Sequence, residues 1–167
     1  MGRLGLKAAV ATRNRIAVLN ADDAGACVAL EIAAFDPPDR FPARVWRRFL
    51  GPCQEAGTAL ALGVRAPRDV LAAAVIVLLR RNSRVVRIYS LAVDQGFRGR
   101  GLGAALIKSV SRRTRLAISL EVRLDNAPAR ALYERLGFTA GETLPGYYAD
   151  GADGIRYRRP HPPRNHA

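Results

Sequence analysis

The 167-residue sequence predicts one α/β domain, a mixed and mostly antiparallel central sheet with flanking helices. Three observations carry that prediction. Strand-like and helix-like segments follow the order strand, two helices, three strands, helix, strand, helix, strand pair. The three central strands are joined by turn-length connections, so they run antiparallel. Hydrophobic residues make up 49% of the chain and charged residues 25%, enough apolar material for one core without the excess that a membrane span needs.

Residues 15–19 read as the first strand. Asn20 or Asp22 can cap the helix that follows, which is expected to run to Phe35 with Val28, Ile32 and Phe35 spaced for one buried face. Asp36-Pro37-Pro38 breaks it. A second helix over 44–50 carries Val45, Trp46 and Phe49, and Gly51-Pro52 is expected to end it. Residues 59–64 and 70–79 form a hairpin, and Arg81-Asn82-Ser83 turns the chain into a strand over 85–93. A helix over 104–110 follows a glycine-rich turn. A buried strand over 116–123 then leads to a short helix with Asn126 as its cap, Pro128 in its first turn and Gly137 as its stop. Phe138 opens the final strand pair.

The turn at 95–104, Gln-Gly-Phe-Arg-Gly-Arg-Gly-Leu-Gly-Ala, is the most informative segment. Glycines let a backbone approach a ligand closely, and a helix starting there aims free N–H groups and the positive end of its dipole outward. That is a phosphate cradle. A Walker loop is excluded, because Leu102 and Gly103 stand where lysine and a hydroxyl are needed. A dinucleotide fingerprint matches on paper at Gly99-x-Gly101-x-x-Ala104, with Glu121 twenty residues on. Its context disagrees: five residues, 94–98, separate strand from motif, and the motif sits mid-chain rather than opening a βαβ unit.

Two motifs in order carry a family resemblance. Arg98-x-x-Gly101-x-Gly103 resembles the acetyl-CoA pyrophosphate loop of the GNAT superfamily of N-acetyltransferases. The string Leu-Glu-Val-Arg-x-x-Asn-x-x-Ala-x-x-Leu-Tyr-x-x-x-Gly-Phe, over 120–138, is similar to the second signature of that superfamily. The resemblance covers residues 13–160, read as the catalytic domain between an extension over 1–12 and a flexible tail over 161–167. It implies a sheet splayed between its fourth and fifth strands to form a cleft for acetyl-CoA, with no metal. The backbone of Leu91, Ala92 and Val93 would pair with the pantetheine amides. Backbone N–H groups of Arg98, Gly99, Arg100, Gly101, Leu102, Gly103 and Ala104 would hold the pyrophosphate, with Arg98 and Arg100 adding charge. Asn126 would serve as helix cap, cofactor contact or both.

Within that resemblance, Glu121 takes the role of general base and Tyr133 that of proton donor to the departing thiolate. Glu121 has a plainer alternative, an ion pair with an arginine such as Arg123 or Arg130. The segment over 144–154, with Tyr147 and Tyr148, resembles the hairpin loop that covers the peptide N-terminus in ribosomal-protein-alanine N-acetyltransferases. The acceptor it implies is the α-amine of a peptide or protein. A small amine such as a polyamine, amino acid or aminoglycoside is the alternative, and Asp150 with Asp153 offers it little negative charge.

Composition narrows the rest. The formal net charge is +13, and of 27 basic residues only Lys7 and Lys108 are lysine. Such a field attracts polyanions and acidic partners. No nucleic-acid motif or aromatic-interleaved basic stripe accompanies it, so specific nucleic-acid reading is not expected. Cys27 and Cys53 have no metal spacing, and Cys27 reads as core filler. The opening of the chain is basic and acid-free to Asn20 but lacks an apolar stretch, so a cytoplasmic protein is expected, monomeric or homodimeric, with no membrane anchor.

Overall fold

The geometry of the molecule is set by where one long strand stays paired and where it lets go. The computed structural model describes residues 15–161; the extension expected over 1–12 and all of the tail after His161 lie outside the described residues. Seven strands form one sheet, β1 (Ile16–Val18), β2 (Ala59–Arg65), β3 (Leu71–Leu78), β4 (Val85–Val93), β5 (Ala117–Arg123), β6 (Thr139–Leu144) and β7 (Gly154–Arg159). Their order is β1-β2-β3-β4-β5-β7-β6. Every neighbouring pair is antiparallel except β4 with β5.

That parallel pair is registered only over Val85↔Ala117, Val86↔Ile118 and Arg87↔Ser119. Beyond Arg87 the two strands part, although each continues. β4 carries an irregularity there: Ser90 faces Ile76 and Ile88 faces Val77, leaving Tyr89 as the extra residue. A bulge of this kind bends its strand and frees its edge. The splay that the resemblance implied is thus built from a three-residue pairing followed by a bulge.

Helices cover both faces. On one side α1 (Ala24–Ala34), α2 (Ala43–Arg48) and the turn that follows place Cys27, Leu30, Trp46 and Leu50 over Ala61, Ala74, Ile76 and Ala92. On the other, α3 (Leu102–Thr114) and α4 (Ala127–Arg135) pack Leu106, Ile107, Val110 and Tyr133 with Val75, Val86, Ile118 and Leu120. Alternate strand residues belong to opposite clusters, as the period-2 pleat requires.

Two local expectations are corrected. Ile32 is 58% exposed, and the buried face of α1 is Cys27, Leu30, Glu31 and Ala34. The spacing is helical, but a carboxylate occupies a core position and hides the stripe from a hydrophobicity reading. Gly51-Pro52 does not end the second helix. The chain passes through both in a π-helical turn, Phe49–Cys53, and returns to α-helical geometry at Gln54. A wider turn accommodates a proline that has no N–H to contribute. Asn20, not Asp22, is the cap. Its side chain accepts from Asp22 N–H while Asp23 accepts from Asn20 N–H, in a 3₁₀ turn (Ala21–Asp23) that feeds α1.

Candidate active site

The gap between β4 and β5 opens a row of hollows, and walking along the strands passes through each in turn. At the paired end lies a hollow of about 410 Å³ lined by Arg80, Arg87, Ser119, Glu121, Tyr147 and Arg156. A central one of about 450 Å³ shares Arg87, Glu121 and Tyr147 with it and adds Phe41, Tyr89 and Tyr133. The third, about 670 Å³, shares Leu91, Asn126 and Tyr133 with the second and reaches Val93 and Arg98. Neighbouring hollows share lining residues, so the three line up as one passage along β4 and β5.

The glycine loop borders the third hollow. Gly99 and Gly101 have φ of +75° and +74°, and a Cβ at either would meet nothing within 4 Å. Glycine is required there by backbone conformation, not by crowding. Gly101 caps the 13-residue α3 without any side-chain hydrogen bond. The first-turn N–H groups of Leu102, Gly103 and Ala104 therefore stand ready for an anion, which fits the expected pyrophosphate. The arginines are placed differently from expectation. Arg98 Nη2 donates to Ala34 O at 2.7 Å and Nε to Val93 O at 3.3 Å, bracing the loop against the end of α1. Arg100 donates to Gly96 O and lies 5.0 Å from the Phe97 ring centroid.

Asp94 N–H bonds to Ala72 O across from β3. Antiparallel alternation then turns the backbone groups of Val93 and Leu91 away from β3 and into the gap. Both side chains are half-buried on the passage wall, whereas the Ala92 side chain is fully buried beneath α1. Asn126 Oδ1 accepts from Ala129 N–H at 3.2 Å, so it caps α4 while lining the passage.

Glu121 sits where the first and second hollows meet, its side chain 7% exposed. Arg87 Nε donates to its Oε2 at 2.7 Å and Arg156 Nε to its Oε1 at 3.1 Å. Arg156 is its cross-strand partner on β7, and Arg87 stands opposite Ser119, two residues along the same face. Burial is the largest single influence on Arg87 and works against its charge, but the hydrogen bond and charge of Glu121, with smaller help from Tyr147 and Tyr89, together raise the arginine above its ordinary value. Arg123 and Arg130, the neighbours considered from sequence, are occupied elsewhere. Arg123 bonds Asp150 at 2.6 Å and Asp39 at 3.2 Å, and Arg130 bonds Leu124 O and the Tyr157 hydroxyl.

Tyr133 is buried, its ring against Phe138 and Tyr157 at centroid distances of 5.7 and 6.1 Å. Burial first, then the nearby Tyr148, pushes its hydroxyl well above the ordinary tyrosine value, so it keeps its proton at neutral pH. On the hairpin loop, Tyr147 and Tyr148 meet edge to face at 5.2 Å. Tyr147 OH accepts from Arg87 Nη2 at 2.8 Å, and the Arg123 guanidinium lies 4.9 Å over the Tyr148 ring. Burial chiefly pushes Tyr148 up to about 12.

Residues 29–138 match the family described as Acetyltransferase (GNAT) family. The chain belongs to that family. A GNAT relative, the N-alpha-acetyltransferase RimI of Mycobacterium tuberculosis, is 31% identical over 147 residues, covering 86% of this chain and 90% of RimI. The N-alpha-acetyltransferase of Saccharolobus solfataricus is 38% identical over 78 residues, 44% of this chain and 47% of that protein. The match thus spans about half the length of that relative and nearly all of RimI. Among solved structures, the ribosomal-protein-S18-alanine N-acetyltransferase of Escherichia coli superposes with a TM-score of 0.76 at 26% identity, over 89% of this chain and 94% of that one.

The GNAT signatures locate Glu121, Asn126 and Tyr133, which line the passage, and the glycine loop, which touches it through Gln95 and Arg98. They do not point to Arg87, Arg156 or Tyr89, which shape it equally. With 27 basic residues in the chain, no single arginine stands out. The usable signal was positional: Arg87, two before Tyr89 on a strand, shares the face of Glu121 once β4 and β5 pair in parallel. Among the described residues no group of three or more His, Cys, Asp or Glu could hold a metal, and no helix is long and apolar enough to cross a membrane.

Proposed function

We propose that this GNAT-family chain transfers an acetyl group from acetyl-CoA to the α-amine of a peptide or protein N-terminus. The observation that carries the reading is the placement of Glu121 and Tyr133. Both line the central hollow, Tyr133 on the wall shared with the glycine-loop end and Glu121 on the wall shared with the opposite end. Two substrates entering from opposite ends meet between them.

Acetyl-CoA, when bound, supplies the acetyl thioester. Backbone N–H groups of 98–104 hold its pyrophosphate, and the gap-facing backbone of Leu91 and Val93 pairs with its pantetheine amides. A Val93 N–H in the gap polarises the acetyl carbonyl oxygen. A peptide α-ammonium titrates near pH 7.7–8.0, so a mild base frees the amine. Glu121 takes that proton, directly or through one water; each of its oxygens keeps a second lone pair beyond the one its arginine uses. As the N–C bond forms and the C–S bond breaks, Tyr133 gives its proton to the sulfur. Two protons leave the nitrogen, one to Glu121 before attack and one to solvent as the amide forms; one arrives on the thiol from Tyr133, which solvent reprotonates, so one proton is released overall.

Several features support a peptide over a small polycation. Asp150 is committed to Arg123, and Asp153 accepts from Gly146 N–H at 2.8 Å. Arg80, Arg87, Arg123 and Arg156 give the walls a positive character that repels a polyamine. The full-length likeness to RimI agrees with an α-amine acceptor. The test is acetyl transfer from acetyl-CoA to amidated peptides, spermidine and an aminoglycoside, read by mass spectrometry and CoA release. Acetylation at the peptide α-amine is expected; preference for the polyamine over every peptide overturns the assignment.

A further inference from the structure

We propose that the hollow at the paired end of β4 and β5 is an anionic-residue subsite. It holds an aspartate or glutamate side chain at the second or third position of the acceptor peptide. This deepens the α-amine reading and rests on it.

With the acyl donor entering past the glycine loop and the amine at Glu121, the rest of an extended acceptor must leave by the other end of the passage. That end is the hollow lined by Arg80, Arg87 and Arg156, with the Ser83 and Ser119 hydroxyls. Distance sets which residue reaches it. Glu121 and Ser119 are two residues apart on β5, roughly 7 Å at about 3.3 Å per residue, so an acceptor alongside places its second or third side chain there.

Charge sets what it would hold. Glu121 is shared by Arg87 and Arg156, and Glu142 takes the remaining face of Arg156 at 2.9 Å. Among the described residues Arg80 has no carboxylate within ion-pair distance, and Arg158 adds a further exposed guanidinium opposite Ser119. Three cations, Arg80, Arg87 and Arg156, against one lining carboxylate, Glu121, leave an unbalanced positive charge in a concave site, with Glu142 and Arg158 outside its lining and offsetting one another. A planar carboxylate suits guanidinium geometry better than any neutral side chain does.

The test uses the full chain with acetyl-CoA and C-terminally amidated peptides that differ only at positions two and three, carrying Asp, Glu, Asn, Gln or Lys. An acidic residue is expected to raise kcat/KM by about tenfold over its amide counterpart, the return of one charge-assisted hydrogen bond, and the preference should shrink in 0.5 M salt. Arg80→Gln, at an exposed turn, should abolish most of the preference, bringing kcat/KM on the acidic peptide down to within about twofold of the value the same variant gives with its amide counterpart. Equal rates on acidic and neutral peptides, or a preference untouched by Arg80→Gln, overturn the subsite and leave the α-amine reading standing. Failure of every peptide, with transfer to a small amine instead, overturns both.

Discussion

Replacing Glu31 with glutamine isolates one buried carboxyl and makes its cost measurable. Glu31 is 1% exposed on the inner face of α1, where Oε2 accepts from Phe41 N–H at 3.1 Å and Oε1 has no partner. Burial raises it from the ordinary 4.5 to about 7, against the opposing pull of the Phe41 N–H, the Trp46 indole and Arg40. Below pH 4.5 the group is protonated whether the chain is folded or not, and it costs nothing. Between 4.5 and about 7 the unfolded carboxyl ionises while the buried one keeps its proton, so stability falls as pH rises; above about 7 the loss is complete. At about 1.4 kcal/mol per tenfold, that interval is worth roughly 3 kcal/mol. Glu31→Gln removes the titration and keeps the shape, adding only a pH-independent cost for its extra donor. Thermal unfolding of both proteins from pH 4.5 to 8 should show the variant gaining on the wild type by about 6–12 °C, taking about 2–4 °C per kcal/mol for a domain of this size. A difference in Tm that stays flat across that range refutes the reasoning.

The remaining predictions concern the site and the core. Glu121→Gln should lower kcat by about 10²–10³ with acetyl-CoA KM little changed, because it removes proton transfer while keeping the side chain's shape and one of the two oxygens that accept from Arg87 and Arg156; turnover near the wild-type value contradicts the base role. Tyr133→Phe should lower kcat by about a hundredfold while Tm stays within a few degrees, since the ring contacts to Phe138 and Tyr157 persist; an undiminished kcat removes the proton-donor role. Gly63→Ala should destabilise by about 1–3 kcal/mol in urea unfolding, because its Cβ would lie 2.7 Å from Leu19 Cδ2 and 2.8 Å from Leu71 Cδ1 in a packed layer.

The parts of this molecule that were legible in sequence are those governed by local rules. The Asn126 cap and the Gly137 stop state their geometry within a few residues, and the structure places both in the role expected; Gly99 and Gly101 take the positive φ that glycine admits. The β4 strand was legible as a run rich in β-branched and aromatic residues, and its residues alternate in burial although polar Ser90 falls on the buried face. What escaped depends on tertiary neighbours. The α1 stripe was misread because Glu31 takes a core position that only Phe41 N–H, from the next turn, makes tolerable. The π-helical passage through Pro52 is held by Gln54, whose side chain bridges Leu19 O, just past β1, and Ala61 N–H on β2. The partners of Glu121 were hidden for the same reason: Arg87 and Arg156 lie 34 and 35 residues away, and only the sheet order brings them together. Arg98 was expected to face a phosphate and instead braces Ala34 O, 64 residues distant.

The central claim is that two substrates meet between Tyr133 and Glu121. A crystal structure with a conjugate joining CoA through its acetyl group to the α-nitrogen of a short peptide tests it most directly. The account predicts the pyrophosphate on the N–H groups of 98–104, the sulfur beside the Tyr133 hydroxyl, and the α-nitrogen within one water of Glu121. The peptide should run toward Arg80 and Arg156. A conjugate whose nitrogen lies away from Glu121, or whose peptide leaves past the glycine loop, contradicts it.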